Sequence, residues 1–215
     1  MSEVLIINAS PRREGTSFML SKRCQDYVGG DIYQLYSDIN SVEWLLPKID
    51  EAKTIILSGP CYIDTYPAHV VYLLEEISKH PEICHGQKVY GIINGGMPYV
   101  HTHEAGLRML KLFCQDCKMQ YQGGFVMGFG PILNGKPLEN HIFARTMVPA
   151  FQELLEHIKK KEKSPDELYY HTEKKLPSLL IRILSRVMNR KINKNLKKNG
   201  FVYNQPSPYW DNASV

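Results

Sequence analysis

The sequence predicts an α/β protein, a doubly wound five-stranded parallel sheet with a C-terminal helical extension. Three observations carry this. Short apolar runs alternate with helix-length patterned stretches through residues 1–163, as repeated β-α units require. Several runs are apolar at consecutive positions, the mark of strands covered on both faces. Each run closes on glycine, proline or small polar residues, which set turns at the strand ends.

Taken in order, Val4-Leu5-Ile6-Ile7 gives a first strand over residues 3–8, stopping at Asn8, and residues 17–27 read as a helix. Gly29-Gly30 ends it. Period-two alternation in Asp31-Ile32-Tyr33-Gln34-Leu35-Tyr36 makes the second strand. A short helix over 41–51, capped by Asp38 or Ser41, precedes a third strand, Thr54-Ile55-Ile56-Leu57-Ser58, which ends at Gly59-Pro60. Pro67, whose missing N–H is no loss at a first helical position, opens a helix to Lys79. Residues 88–94 form the fourth strand, stopped by Gly95-Gly96. Residues 103–117 then read as a helix, 122–127 as the fifth strand and 138–161 as the fifth helix.

With 215 residues, 43% of them hydrophobic, the chain can bury one substantial core, so the expected organisation is a domain over 1–163 and a tail over 164–215. Charge divides the same way. Residues 1–163 carry 17 Lys and Arg against 18 Asp and Glu, whereas 164–215 carry 9 against 4. The main domain therefore lacks the basic excess of a nucleic-acid binder. Nothing at the start resembles a signal peptide and no apolar stretch is long enough for a bilayer, which predicts a soluble, cytoplasmic protein. The five cysteines, Cys24, Cys61, Cys84, Cys114 and Cys117, are an odd number without a dense framework, so reduced thiols are expected. Cys114 and Cys117 make half a zinc site with no second half, and His101 and His103 read as capping or exposed groups; no metal is expected.

The chemistry concentrates in three loops expected at the carboxyl edge of the sheet. After the first strand, Ser10, Thr16 and Ser17 offer hydroxyls beside a helix N-terminus, with Arg12 or Arg13 adding positive charge, an arrangement suited to a phosphate. The second loop is Ser58-Gly59-Pro60-Cys61-Tyr62-Ile63-Asp64-Thr65-Tyr66-Pro67 and the third Asn94-Gly95-Gly96-Met97-Pro98-Tyr99. Gly59, Gly95 and Gly96 permit close backbone approach, and Tyr62, Met97 and Tyr99 can cover a flat heterocycle.

INASPRREGTS, SGPCYIDTYPAHV and INGGMPYV, in that order, resemble the NADPH-dependent FMN reductase family over about residues 1–160. The resemblance implies a flavodoxin-like fold of sheet order 2-1-3-4-5 that binds FMN and takes NAD(P)H as co-substrate. It assigns the FMN phosphate to Ser10, Arg12, Thr16 and Ser17. The isoalloxazine and ribityl chain fall to Pro60, Cys61, Tyr62 and Ile63, and the third loop to Asn94, Gly95, Gly96 and Met97. Backbone N–H groups around Gly95 and Gly96 are the expected donors to the charge that develops on the ring during reduction. Electrons would pass to a small acceptor, a quinone, nitroaromatic, azo compound or flavin, with no side chain acting as nucleophile or base. Only Cys61 stands where iron–sulfur relatives carry a cysteine cluster, and no GxGxxG marks a pyridine-nucleotide site. The rival reading is a non-enzymatic FMN electron carrier, but such carriers are usually acidic and this core is near neutral.

From Leu176 to Leu196, apolar residues recur at helical spacing. Arg182, Arg186, Arg190, Lys191, Lys194, Lys197 and Lys198 are expected to fill the other face, with Asn199-Gly200 as the stop. Packing across a homodimer is the preferred role of this helix, membrane-surface contact the lesser one, and no nucleic-acid partner is expected.

Overall fold

The apolar runs become five strands: β1 (Val4–Asn8), β2 (Asp31–Gln34), β3 (Thr54–Pro60), β4 (Lys88–Asn94) and β5 (Gln120–Met127). This computed structural model describes residues 3–38, 40–166, 168–173 and 176–201. The strands pair in parallel in the order β2-β1-β3-β4-β5, as the resemblance implies. Because all five run the same way, every carboxyl end lies on one edge. Asn8 pairs with Ser58 and Gln34, Pro60 with Asn94, and Asn94 with Met127, so the loops after β1, β3, β4 and β5 open side by side.

Helices α1 (Thr16–Val28), α2 (Leu46–Glu51), α3 (Ala68–Ser78), α4 (Ala105–Asp116), α5 (Gly130–Leu133) and α6 (Ala144–Lys160) cover the sheet. Side-chain alternation divides the core accordingly. Leu5 and Ile7 of β1 pack with Ile49, Val70, Leu73 and Leu110 from α2, α3 and α4. Ile6 packs with Leu20, Met147, Phe151 and Leu154 from α1 and α6. All seven residues of β3 are buried, which is why its sequence is apolar without alternation.

Four expectations shift. β2 ends at Gln34, since Leu35–Ser37 tightens into a 3-10 turn. The helix expected over 41–51 is a 3-10 turn, Glu43–Leu45, followed by α2, with Ser41 Oγ accepting the Glu43 N–H at 3.2 Å. Pro67 stands at the N-cap of α3 rather than inside it. The fifth helix is not continuous over 138–161: a 3-10 turn, Leu138–Asn140, precedes α6. His141 separates them, because its backbone is extended and its ring nitrogen Nδ1 takes the Phe143 N–H at 3.1 Å.

The chain forms two compact units, Met1–Lys174 and Lys175–Val215. Among the described residues of the second, one helix forms, α7 (Ser178–Lys198), with no buried residue. Among the described residues no helix is long and apolar enough to cross a membrane.

Candidate functional site

The loop from β1 ends on an open helix terminus. Gly15 occupies the N-cap of α1, no side chain closes the first turn, and that turn contains no acidic residue. Its leading N–H groups have no intrahelical acceptor and carry the positive end of the helix dipole, so an anion fits there. Within the loop, the Ser10 N–H donates to Asn8 Oδ1 at 3.3 Å and the Arg12 N–H to Ser10 Oγ at 3.2 Å. Ser17 Oγ accepts from Asn94 Nδ2 at 2.8 Å, which leaves its own proton to donate.

Thr16 and Arg12 also reach across the loop. The Thr16 hydroxyl donates to the Gly130 carbonyl at 2.8 Å, and the Arg12 guanidinium donates to Asn134 Oδ1 at 2.5 Å. Both tie the loop to α5. Ser10, Thr16 and Ser17 are buried, whereas Arg12 is exposed beside an open groove of about 730 Å³. Arg12, Lys22 and Arg23 line that groove together with Glu14, Asp26 and Glu139, so its walls favour neither sign of charge.

Asn94 is the junction of the site. Its Nδ2 also donates to the Gly59 carbonyl at 3.1 Å, and its own carbonyl accepts the Cys61 N–H at 2.7 Å. One buried amide thus joins the start of α1 to the ends of β3 and β4. Beyond it, the Gly95 N–H donates to the Met127 carbonyl at 2.9 Å, and the Gly95 carbonyl accepts the Gly130 N–H at 2.8 Å. This corrects the expectation for Gly95: its amide is engaged within the sheet edge, and exposed Gly96 is the remaining candidate donor of the two.

His103 corrects another. It is buried, its Nε2–H donates to the Met97 carbonyl at 3.0 Å, and a Cβ built on Gly95 would fall 2.1 Å from its ring. The ring is the floor under the third loop. Its Nδ1 is buried without a hydrogen-bond partner. No local motif in the sequence marks this role, because the pairing joins a strand end to the entrance of the next helix. The same connection is held from outside: Glu173 accepts the Val100 N–H at 3.0 Å, and Glu104 accepts from Arg108 and the Tyr170 hydroxyl.

The second loop presents an apolar lip. The Tyr62 N–H donates to the Thr65 carbonyl at 2.7 Å, which forces Ile63 and Asp64 to φ of 51° and 67°. A β-branched residue in the left-handed region is strained, and Ile63 is also 95% exposed. With Tyr62 at 48% and Met97 at 57%, it gives the carboxyl edge apolar surface beside the anion loop. Burial pushes the Cys61 thiol up to about 11, so it is protonated at neutral pH and is no nucleophile.

Two further groups lie outside this constellation. Cys84 and Cys117 lie just before β4 and β5, at the amino end of the sheet and away from the loops; all five thiols are free. Among the described residues, no group of three or more His, Cys, Asp or Glu is placed to hold a metal ion. His141 braces the 128–143 segment: its Nε2–H donates to the Gly128 carbonyl at 3.1 Å while Nδ1 accepts from Phe143. Burial lowers its pKa from the ordinary 6.5. Below that pH the unfolded chain binds a proton that the folded chain resists, so stability is expected to fall as the solution is acidified, until the folded imidazole also protonates. Melting curves recorded from about pH 7 down to about pH 5 check this, with a shallower fall expected for His141→Gln.

No family model matches the sequence. No curated protein matches it either. Solved structures do. General stress protein 14 from Treponema denticola, in complex with FMN, is 14% identical with a TM-score of 0.55, covering 73% of this chain and 99% of that one. An NADPH-quinone reductase from P. pentosaceus is 17% identical with a TM-score of 0.54, covering 76% and 99%. The apo form of an NADH:FMN oxidoreductase is 15% identical with a TM-score of 0.55, covering 77% and 92%. At such identities the likeness establishes the flavodoxin-like fold.

Proposed function

We propose that this chain is an FMN-dependent NAD(P)H oxidoreductase that passes electrons to a small acceptor such as a quinone, nitroaromatic, azo compound or flavin. The observation that carries the reading is the convergence, at one edge of a flavodoxin-like sheet, of an uncapped helix N-terminus with an exposed apolar lip. An anion site beside a surface for a flat ring suits a phosphorylated heterocycle. Structural neighbours described as FMN-bound, as an NADPH-quinone reductase and as an NADH:FMN oxidoreductase support it.

In this reading Ser10, Ser17 and the leading N–H groups of α1 hold the phosphate, and Arg12, kept nearby by Asn134, neutralises it from the rim. Pro60 and Cys61 fix the exit of β3 against Asn94. Tyr62, Ile63 and Met97 orient the ring and exclude water from one side of it. Bound FMN supplies the hydride and electron chemistry. The chain's own task at the reacting edge is a hydrogen bond from the Gly96 N–H to developing negative charge, held in place by the His103 ring beneath Gly95.

The test is reduction and reoxidation of the holoprotein. NAD(P)H is expected to bleach the flavin, and a small quinone to restore the colour with ping-pong kinetics. If dithionite bleaches it and neither pyridine nucleotide does, the chain is an electron carrier.

A further inference from the structure

We propose that α7 is a docking helix for the anionic surface of a lipid bilayer. Residues 176–201 contain seven Lys and Arg and no Asp or Glu. No residue of α7 is buried; Leu179 is 67% exposed and Met188 61%.

The arrangement along the helix identifies the partner. Leu180, Ile183, Leu184 and Val187 recur at three- and four-residue spacing and form one stripe on the first half. Arg182 and Arg186 stand off that stripe, as the sequence pattern led one to expect. Three of the four later lysines do not: Lys191 follows Val187 by four residues and Leu184 by seven, Lys194 follows Val187 by seven, and Lys198 follows Lys191 by seven. The apolar row itself runs on through Met188, Ile192 and Leu196 at four-residue spacing, so in the second half it is flanked by the ammonium groups of Lys191, Lys194 and Lys198 on one side.

A protein groove receiving this whole face would have to desolvate three lysines and supply carboxylates for them. A second α7 brings seven more cations and no anion, and residues 1–163, with 17 basic and 18 acidic side chains, are balanced to within one charge. A bilayer accommodates both halves at once. The leucine-rich half enters the boundary of the acyl chains, and the lysine stems lie along it with their ammonium groups at the lipid phosphates. The helix lies in the surface plane, consistent with its being too charged to span.

The full chain should co-sediment with phosphatidylcholine vesicles containing phosphatidylserine and not with phosphatidylcholine alone, and added salt should release it. Replacing Lys191, Lys194 and Lys198 with Ala should weaken binding about a hundredfold, roughly fivefold for each charge near the surface. Leu184→Ser with Val187→Ser should abolish it. All five side chains are exposed, so melting temperature should be unchanged and serves as the folding control. The proposal is overturned if the chain ignores both vesicles or binds both equally, or if the triple lysine variant binds like the parent. It is overturned equally if the chain binds an RNA oligonucleotide but no vesicle. A vesicle-indifferent dimer that Leu184→Ser with Val187→Ser converts to monomers would assign α7 to a second copy instead.

Discussion

Replacing Gly95 with Ala is expected to lower the melting temperature and weaken flavin binding together, and removing the His103 ring in the same chain should restore much of both. The added methyl would lie 2.1 Å from the imidazole. The backbone cannot yield, since the Gly95 N–H and carbonyl are both held, by Met127 and Gly130. Overpacking of this kind costs about 1–3 kcal/mol, or roughly 3–10 °C for a domain of this size. His103→Ala alone leaves a cavity and frees the Met97 carbonyl, so it too destabilises. The double variant should be more stable than the sum of the two losses implies, the signature of groups in direct contact. Thermal melts of the four proteins check this; simple additivity would remove His103 from the floor of the loop.

Asn94→Asp is expected to be as damaging as Asn94→Ala, although it preserves shape. The amide gives two hydrogen bonds from one nitrogen, to Ser17 Oγ and to the Gly59 carbonyl. Aspartate has no proton to donate at neutral pH and brings a buried negative charge against that carbonyl oxygen. A loss of about 2–4 kcal/mol is expected, a fall of roughly 5–15 °C in melting temperature. The aspartate variant should recover part of this on acidification, as its carboxyl gains a proton, while the alanine variant should not. Equal pH dependence in both would contradict the donor role.

The sheet was legible because its strands announce themselves twice, by consecutive apolar residues and by what stops them. β4 runs over Lys88–Asn94 as expected, closed by Gly95-Gly96. The fifth helix breaks where its periodicity runs on, because periodicity does not register a histidine ring that captures a nearby amide, as His141 does. The site was legible in the same partial way. Local chemistry placed Ser10, Thr16, Ser17, Pro60, Asn94 and Gly96 at one edge. It could not assign hydrogen-bond partners from distant segments, so the Thr16 hydroxyl goes to Gly130, the Gly95 amide to Met127, and buried His103 reads in sequence as a capping or exposed group.

Flavin binding is decided by a visible absorption spectrum of the purified protein, followed by titration with FMN and with riboflavin. Visible flavin bands, or their appearance on titration, are expected, together with quenching of flavin fluorescence. FMN should be preferred over riboflavin by about tenfold to a hundredfold, set by charge-assisted contacts of roughly 1.5–3 kcal/mol to the phosphate. Arg12→Ala should narrow that preference while leaving riboflavin binding nearly unchanged. A colourless protein that leaves FMN fluorescence unchanged would contradict the account.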